Sequence, residues 1–247
     1  PLDRIGDALA GFPAVAKVVK SLSFGQYAED VMLATSLLPA SRGFYVDVGA
    51  FHPWKGSNPY KLYLRGWSGL TIEPNPAAEA MFKRMRRRDK HLVMGVAHAE
   101  DSLTYYEFDD PKRNTFSKET ADVYVAENDI LIGSRTVACR PLQAILDEHA
   151  PGQAIDLMSV DCEGFDLVAL NSLDFTRSRP AAILVEDFDG FMRRREGEGR
   201  SEIEALLLDK GYQFISQNLF SSLFVDSAVI RRQRPCAAYH VDSWQFR

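Results

Sequence analysis

Two short stretches of this sequence place acidic residues at the ends of apolar runs, where they could hold a ligand. In Gly43-Phe44-Tyr45-Val46-Asp47-Val48-Gly49-Ala50-Phe51-His52, a buried-strand pattern ends in an acid, a glycine and a small residue. Gly49 lacks a Cβ and tolerates positive φ, so backbone there can approach a ligand closely. The second stretch, Leu70-Thr71-Ile72-Glu73-Pro74, also ends in a carboxylate. The interval from Gly49 to Glu73 is one that sets an acid at the end of a second strand against a ribose diol. Together the two stretches predict an adenosine-type ligand at the carboxyl edge of a parallel sheet, held by Asp47, Gly49, Ala50 and Glu73.

A dinucleotide would require G-x-G-x-x-G, so that a helix N-terminus receives the pyrophosphate. Here Gly49 is followed by Ala50, Phe51, His52 and Pro53, and no G-x-x-x-x-G-K-[ST] occurs. A one-glycine loop between two carboxylates suits S-adenosylmethionine better. That molecule carries a ribose, no phosphates and a sulfonium cation that acidic surroundings favour. The bland alternative is a plain α/β strand whose Asp47 caps a turn.

Further blocks turn these stretches into a family resemblance. Gly25-Gln26-Tyr27-Ala28-Glu29-Asp30, Phe44–Ala50, Ser57-Asn58 and Gly66-Trp67-Ser68-Gly69-Leu70-Thr71-Ile72-Glu73-Pro74-Asn75-Pro76 closely resemble the FkbM family of methyltransferases. Asn114-Thr115-Phe116-Ser117 and Asp161-Cys162-Glu163-Gly164-Phe165 extend the match, which runs from about Phe24 to Val229. The resemblance implies an S-adenosylmethionine-dependent O-methyltransferase acting on hydroxyls of sugars or secondary metabolites. It puts Gln26 and Pro74 beside the cofactor. Ser57 and Asn58 are placed to cap the helix that follows, to bond the methionine carboxylate of the cofactor, or to do both.

Length fits one sizeable α/β domain over residues 23–247, preceded by a helical arm over 1–22 read as a packing or dimerisation element. A net charge of −5 argues against duplex nucleic acid, which demands a basic surface. The runs Lys83–Arg88 and Arg193–Arg195 read as solvated helix faces. Cys139, Cys162 and Cys236 form no C-x-x-C pair, which points to a reducing, cytoplasmic setting without structural zinc. No apolar run is long enough to span a membrane.

The elements that would position these residues alternate. Strands are expected at 44–48, 68–72, 91–97, 103–108, 137–140, 155–161 and 181–187, and helices at 26–38, 59–65, 77–88, 117–127, 141–149 and 201–210. A closing hairpin covers 212–215 and 222–230. This is a doubly wound, Rossmann-like sheet, mostly parallel with an antiparallel C-terminal edge. The polar segment 109–135 reads as a cover over the acceptor site. His98 is either an adenine neighbour or a polar loop residue.

Four strands then end in acid: Asp47, Glu73, Asp161 and Glu186-Asp187. Carboxylates brought together at one edge need a cation or a proton among them. The interval from Asp161 to Glu186-Asp187 resembles that of metal-dependent O-methyltransferases, including TylF-type sugar enzymes. It implies Mg²⁺, or Mn²⁺ or Ca²⁺, on Asp161, Glu186 and Asp187. Such an ion would orient the acceptor hydroxyl and lower its pKa. A metal-free route would use a carboxylate (Asp161, Glu163 or Asp187) or His52 as general base. The alternative of another class is a non-catalytic Rossmann module that binds a nucleotide or nucleotide-sugar.

Overall fold

β1 (Phe44–Val48) forms the centre of the fold, because both neighbours pair with it in parallel. On one side lies β2 (Ser68–Ile72) and on the other β7 (Leu157–Val160). The computed structural model describes residues 23–36 and 42–233. The arm over 1–22 and Cys236 lie outside the described residues.

The main sheet has seven strands in the order β3-β2-β1-β7-β8-β10-β9. Its remaining members are β3 (Lys90–Leu92), β8 (Ala182–Glu186), β9 (Tyr212–Asn218) and β10 (Ser221–Asp226). β10 runs antiparallel to both β8 and β9, so the expected antiparallel edge is present. Helices fill the crossovers: α1 (Glu29–Ser36), α2 (Tyr60–Leu64), α3 (Glu79–Met85), α5 (Leu142–His149), α6 (Asp166–Asn171), α7 (Phe188–Glu196) and α8 (Glu202–Asp209), with α4 (Lys118–Ala126) in the cover segment and α9 (Ser227–Gln233) following β10.

Strand periodicity assigns each residue of β1 to one of two cores. Val46 and Val48 pack with Leu70, Ile72, Ile145, Met158, Val160 and Val185 on one face. Tyr45 packs with Leu33, Tyr63, Trp67, Leu157 and Leu184 on the other. Burying each such side chain contributes about 1.5–3 kcal/mol, which fixes the register. Asp47 therefore shares the Tyr45 face rather than the Val48 face.

Three expectations change. The strand foreseen at 91–97 is two: β3 in the main sheet, and β4 (Gly95–Val96) in a second sheet of order β4-β6-β5. That sheet pairs β5 (Asp101–Phe108) with β6 (Leu131–Arg140), a strand of ten residues where only 137–140 was expected. Half of the segment 109–135 is thus ordered around α4 and β6. The apolar stretch after Val225 turns into α9 instead of continuing the hairpin.

The run Lys83–Arg88 is not a uniformly solvated face either. Arg86 is 1% exposed, the largest fully buried side chain among the described residues. Its Nε donates to Asp89 Oδ2 at 2.7 Å, Nη1 to the Pro53 carbonyl at 2.8 Å, and Nη2 to Tyr45 Oη at 2.8 Å. Asp89 also accepts from Tyr45 Oη at 2.6 Å and from Gly69 N at 3.0 Å. This network ties β1, β2 and the 53–57 loop together. Removing the cation would strand Asp89, so Arg86→Ala should lower stability by about 3–5 kcal/mol. A urea midpoint unchanged from wild type would refute that.

Candidate active site

The carboxyl ends of β1, β2 and β7 meet at one backbone contact. Gly49, at φ +77, donates its N–H to the Ile72 carbonyl at 2.9 Å, and a Cβ on it would overlap the Asp161 carbonyl oxygen. Only glycine fits, and it is the protein's own backbone that requires it. Around this contact opens a cleft of about 730 Å³ whose wall includes Gln26, Gly49, Glu73, Pro74, Asp161 and Glu163. Most of that space is open to solvent, and the cleft narrows toward Gly49 and Asp161.

Glu73 is held in place by two amides. Oε2 accepts from Phe51 N and Oε1 from Asn75 N, each at 2.7 Å. Pro74 is held too: Arg135 donates to its carbonyl at 2.7 Å while pairing with Glu107 at 2.9 Å. Nothing in the local sequence marks Arg135 for this role, because its partners lie 28 and 61 residues away.

Glu163 sits in left-handed backbone, φ +48, followed by Gly164 at +86. The Asn114–Ser117 motif braces it. Thr115 Oγ1 donates to the Glu163 carbonyl at 2.7 Å, and Asn114 Oδ1 accepts from Phe108 N at 2.8 Å. Tyr124 from α4 donates its hydroxyl to Glu163 Oε2, and Arg113 stacks on the Tyr124 ring at 4.3 Å. Asp166 accepts from Cys162 N at 2.9 Å and Gly164 N at 3.2 Å, closing the loop from beneath.

Ligand oxygens of Asp161, Glu163 and Glu186 lie within 4.8 Å of one another. Burial, then the charges of Glu163 and Asp166, holds the Asp161 carboxyl well above its ordinary range. Glu186 is raised in the same way, by burial and then Asp161. Glu163 is pushed up to about 7, chiefly by burial. Each carboxyl of the cluster thus favours its protonated form more than it would in water, unless a cation replaces the proton.

Other expected site residues go elsewhere. Asp187 does not join the acidic cluster, correcting its assignment there. Its side chain caps α7, accepting from Gly190 N at 2.9 Å, and also accepts from Ser201 Oγ at 3.0 Å and Arg194 at 3.4 Å. Glu163 takes the third place instead. Arg194 is correspondingly not a free surface charge, since it also pairs with Glu204.

His52 lies outside the cleft wall, with Nδ1 accepting from Trp54 N at 3.3 Å and Lys55 N at 3.1 Å. Burial and Lys55 depress its pKa. A ring nitrogen already accepting within its own turn, away from the acids, is not positioned as the base. Ala50 packs against Ala78 and Phe82, and His98 is exposed.

Asp47, Ser57 and Asn58 form a buried polar group on the Tyr45 face, off the cleft wall. Asn58 Nδ2 donates to Ser159 Oγ at 3.2 Å, and Ser57 Oγ accepts from Arg86 at 3.3 Å. Neither side chain caps α2. Asp47 Oδ2 and Asn58 Oδ1 are buried without a hydrogen-bond partner. Asn58 Oδ1 lies beneath Gly25, 3.3 Å from where a Cβ there would stand, beside the cleft residue Gln26.

A mostly parallel doubly wound sheet with an antiparallel edge, a one-glycine bend after β1 and an amide-held acid after β2 defines a Rossmann-like α/β protein. The chain belongs to the FkbM methyltransferase family: the Methyltransferase FkbM domain matches residues 47–214, more than half of it. Two solved structures are similar. One is methyltransferase FkbM from Methylobacillus flagellatus KT (14% identity, TM-score 0.49), covering 78% of this chain, which in turn spans only 45% of that protein. The other is a TehB-like SAM-dependent methyltransferase from Corynebacterium glutamicum ATCC 13032 Kitasato (10% identity, TM-score 0.40), with 91% of this chain and 97% of that one covered. No curated protein sequence matches the chain.

Burial, opposed by Arg86, pushes the Asp47 carboxyl from 3.8 up to about 7. Because the folded value is the higher one, the stability Asp47 contributes is complete below about 4 and is lost as pH rises through about 7. The melting temperature of the ligand-free protein should fall between pH 5 and pH 8, and Asp47→Asn should flatten part of that fall. Calorimetry at matched ionic strength reads both.

Proposed function

We propose that this methyltransferase moves the methyl group of S-adenosylmethionine onto a hydroxyl of a sugar or glycosylated metabolite. One observation carries the reading: a single cleft joins Glu73, oriented by two amides, to Asp161 and Glu163, on which Glu186 converges within 4.8 Å.

The residues present fit that cofactor. Glu73 keeps lone pairs free for a ribose diol, and Met94, Val96, Phe116 and Phe165 supply apolar wall for an adenine. Asn58 Oδ1, an acceptor without a partner beneath Gly25 and beside the cleft residue Gln26, suits the α-ammonium of its methionine end. Bound there, S-adenosylmethionine would supply a methyl group on cationic sulfur for the acceptor oxygen, with a neutral thioether as the leaving group. Glu163 receives the hydroxyl proton as its general base. A pKa near 7 lets it be ionised before the step and protonated after it. Tyr124 and Thr115 hold its orientation, and Gln26, Pro111 and Lys112 wall the site against water. This supports segment 109–135 as the acceptor-site cover.

A second reading adds a divalent cation, favoured by the convergence of Asp161, Glu163 and Glu186. An oxygen-only donor set suits Mg²⁺, Mn²⁺ or Ca²⁺ over zinc. Cys139 and Cys162 are unpaired, which supports a reducing, cytoplasmic location. Among the described residues no helix is long and apolar enough to cross a membrane.

Incubation with methyl-labelled S-adenosylmethionine and a glycan panel tests the activity, and NAD bound in place of S-adenosylmethionine in calorimetry would favour a non-catalytic nucleotide module. Glu73→Ala should weaken S-adenosylmethionine binding by about tenfold or more. Glu163→Gln should cut turnover by about 10²–10⁴ and leave that affinity nearly intact. Turnover undiminished by a chelator would remove the cation.

A further inference from the structure

An aromatic cluster beside the acidic residues has no part in the mechanism above. Phe220 is its centre: the Phe188 ring lies 5.2 Å away at 56°, Tyr27 at 5.5 Å and 88°, and Phe191 at 5.5 Å and 90°. Phe188 is 56% exposed and Tyr27 37%. A ring packed in a core would have such area covered from water, whereas these two keep it open to solvent.

That backbone is the rim of the site. Phe188 follows Glu186 by two residues, and Tyr27 follows the cleft residue Gln26. Asp187 N donates to the Phe220 carbonyl at 2.6 Å, and Ser221 pairs with Glu186 across β10 and β8. Asn218 Nδ2 donates to the Tyr27 carbonyl, fastening the N-terminal turn to the β9–β10 turn. The rings are thus tied to the backbone that carries Glu186, so little ordering cost would oppose a ligand laid on them.

A pyranose presents an apolar C–H face and a polar rim of hydroxyls. The negative face of an aromatic ring complements polarised C–H groups, and carboxylates accept from hydroxyls. We propose that Tyr27, Phe188 and Phe220 form the platform for the pyranose ring of the acceptor, with its hydroxyl edge turned toward Glu186 and Glu163. The proposal rests on the methyl-transfer reading and names the residues that select the acceptor within it.

Saturation-transfer NMR tests it with methyl β-D-glucopyranoside and methyl α-D-mannopyranoside as probes, on protein first titrated with S-adenosylmethionine by calorimetry. Ring C–H protons of at least one probe should receive saturation from wild type. Phe188→Ala should weaken that probe's binding by roughly fivefold or more. Phe188→Tyr should retain it, and both variants should keep wild-type cofactor affinity. Cofactor binding without saturation of either probe overturns the platform and spares the methyltransferase reading. Undiminished saturation in Phe188→Ala, or a concentration-dependent dimer that this change dissolves, overturns it as well. Failure of wild type to bind S-adenosylmethionine overturns both readings.

Discussion

The contact between Gly49 and the Asp161 carbonyl constrains the rest of the cleft. It brings the ends of β1 and β7 to within one backbone thickness, while Gly49 and Asp161 donate to Ile72 and Val48 at 2.9 and 3.0 Å. With three strand ends that close, the side chains just beyond them must crowd into a small volume. The acidic cluster follows from this geometry as much as from the choice of residues.

Crowding carboxylates in a half-buried cleft has a thermodynamic cost that the structure meets in several ways. Glu73 and Asp166 are each met by two backbone amides. Asp187 is absorbed into a helix cap and an arginine pair. Asp161, Glu163 and Glu186 keep more of the unfavourable energy, expressed as raised proton affinity. The residues that would do chemistry are those least satisfied by the fold itself.

Much of this was readable from the chain alone, for local reasons. Buried parallel strands are short apolar runs, so β1, β2, β7 and β8 stood out, and Glu73 could be placed by its interval from Gly49. Asp47 was misjudged by proximity to the glycine, although alternation along β1 already assigns it to the Tyr45 face. Partners far apart in sequence were hidden. Arg86 looks like one more cation in a basic run, and its burial follows only once Tyr45 and Asp89 are seen together. Tyr124 meets Glu163 across 39 residues. The extent of β6 depends on its pairing with β5, which polar, exposed residues such as Ser134 and Thr136 do not announce.

Only Val93 and Met94 separate β3, in the main sheet, from β4, in the second, and Met94 and Gly95 both belong to the cleft wall. The chain thus crosses between two sheets at the wall of the cleft. Arg135 adds a second strut between them through Pro74. A tilt of the smaller sheet would act as a lever on both struts at once, shifting Pro74 and Met94 of the cleft wall together.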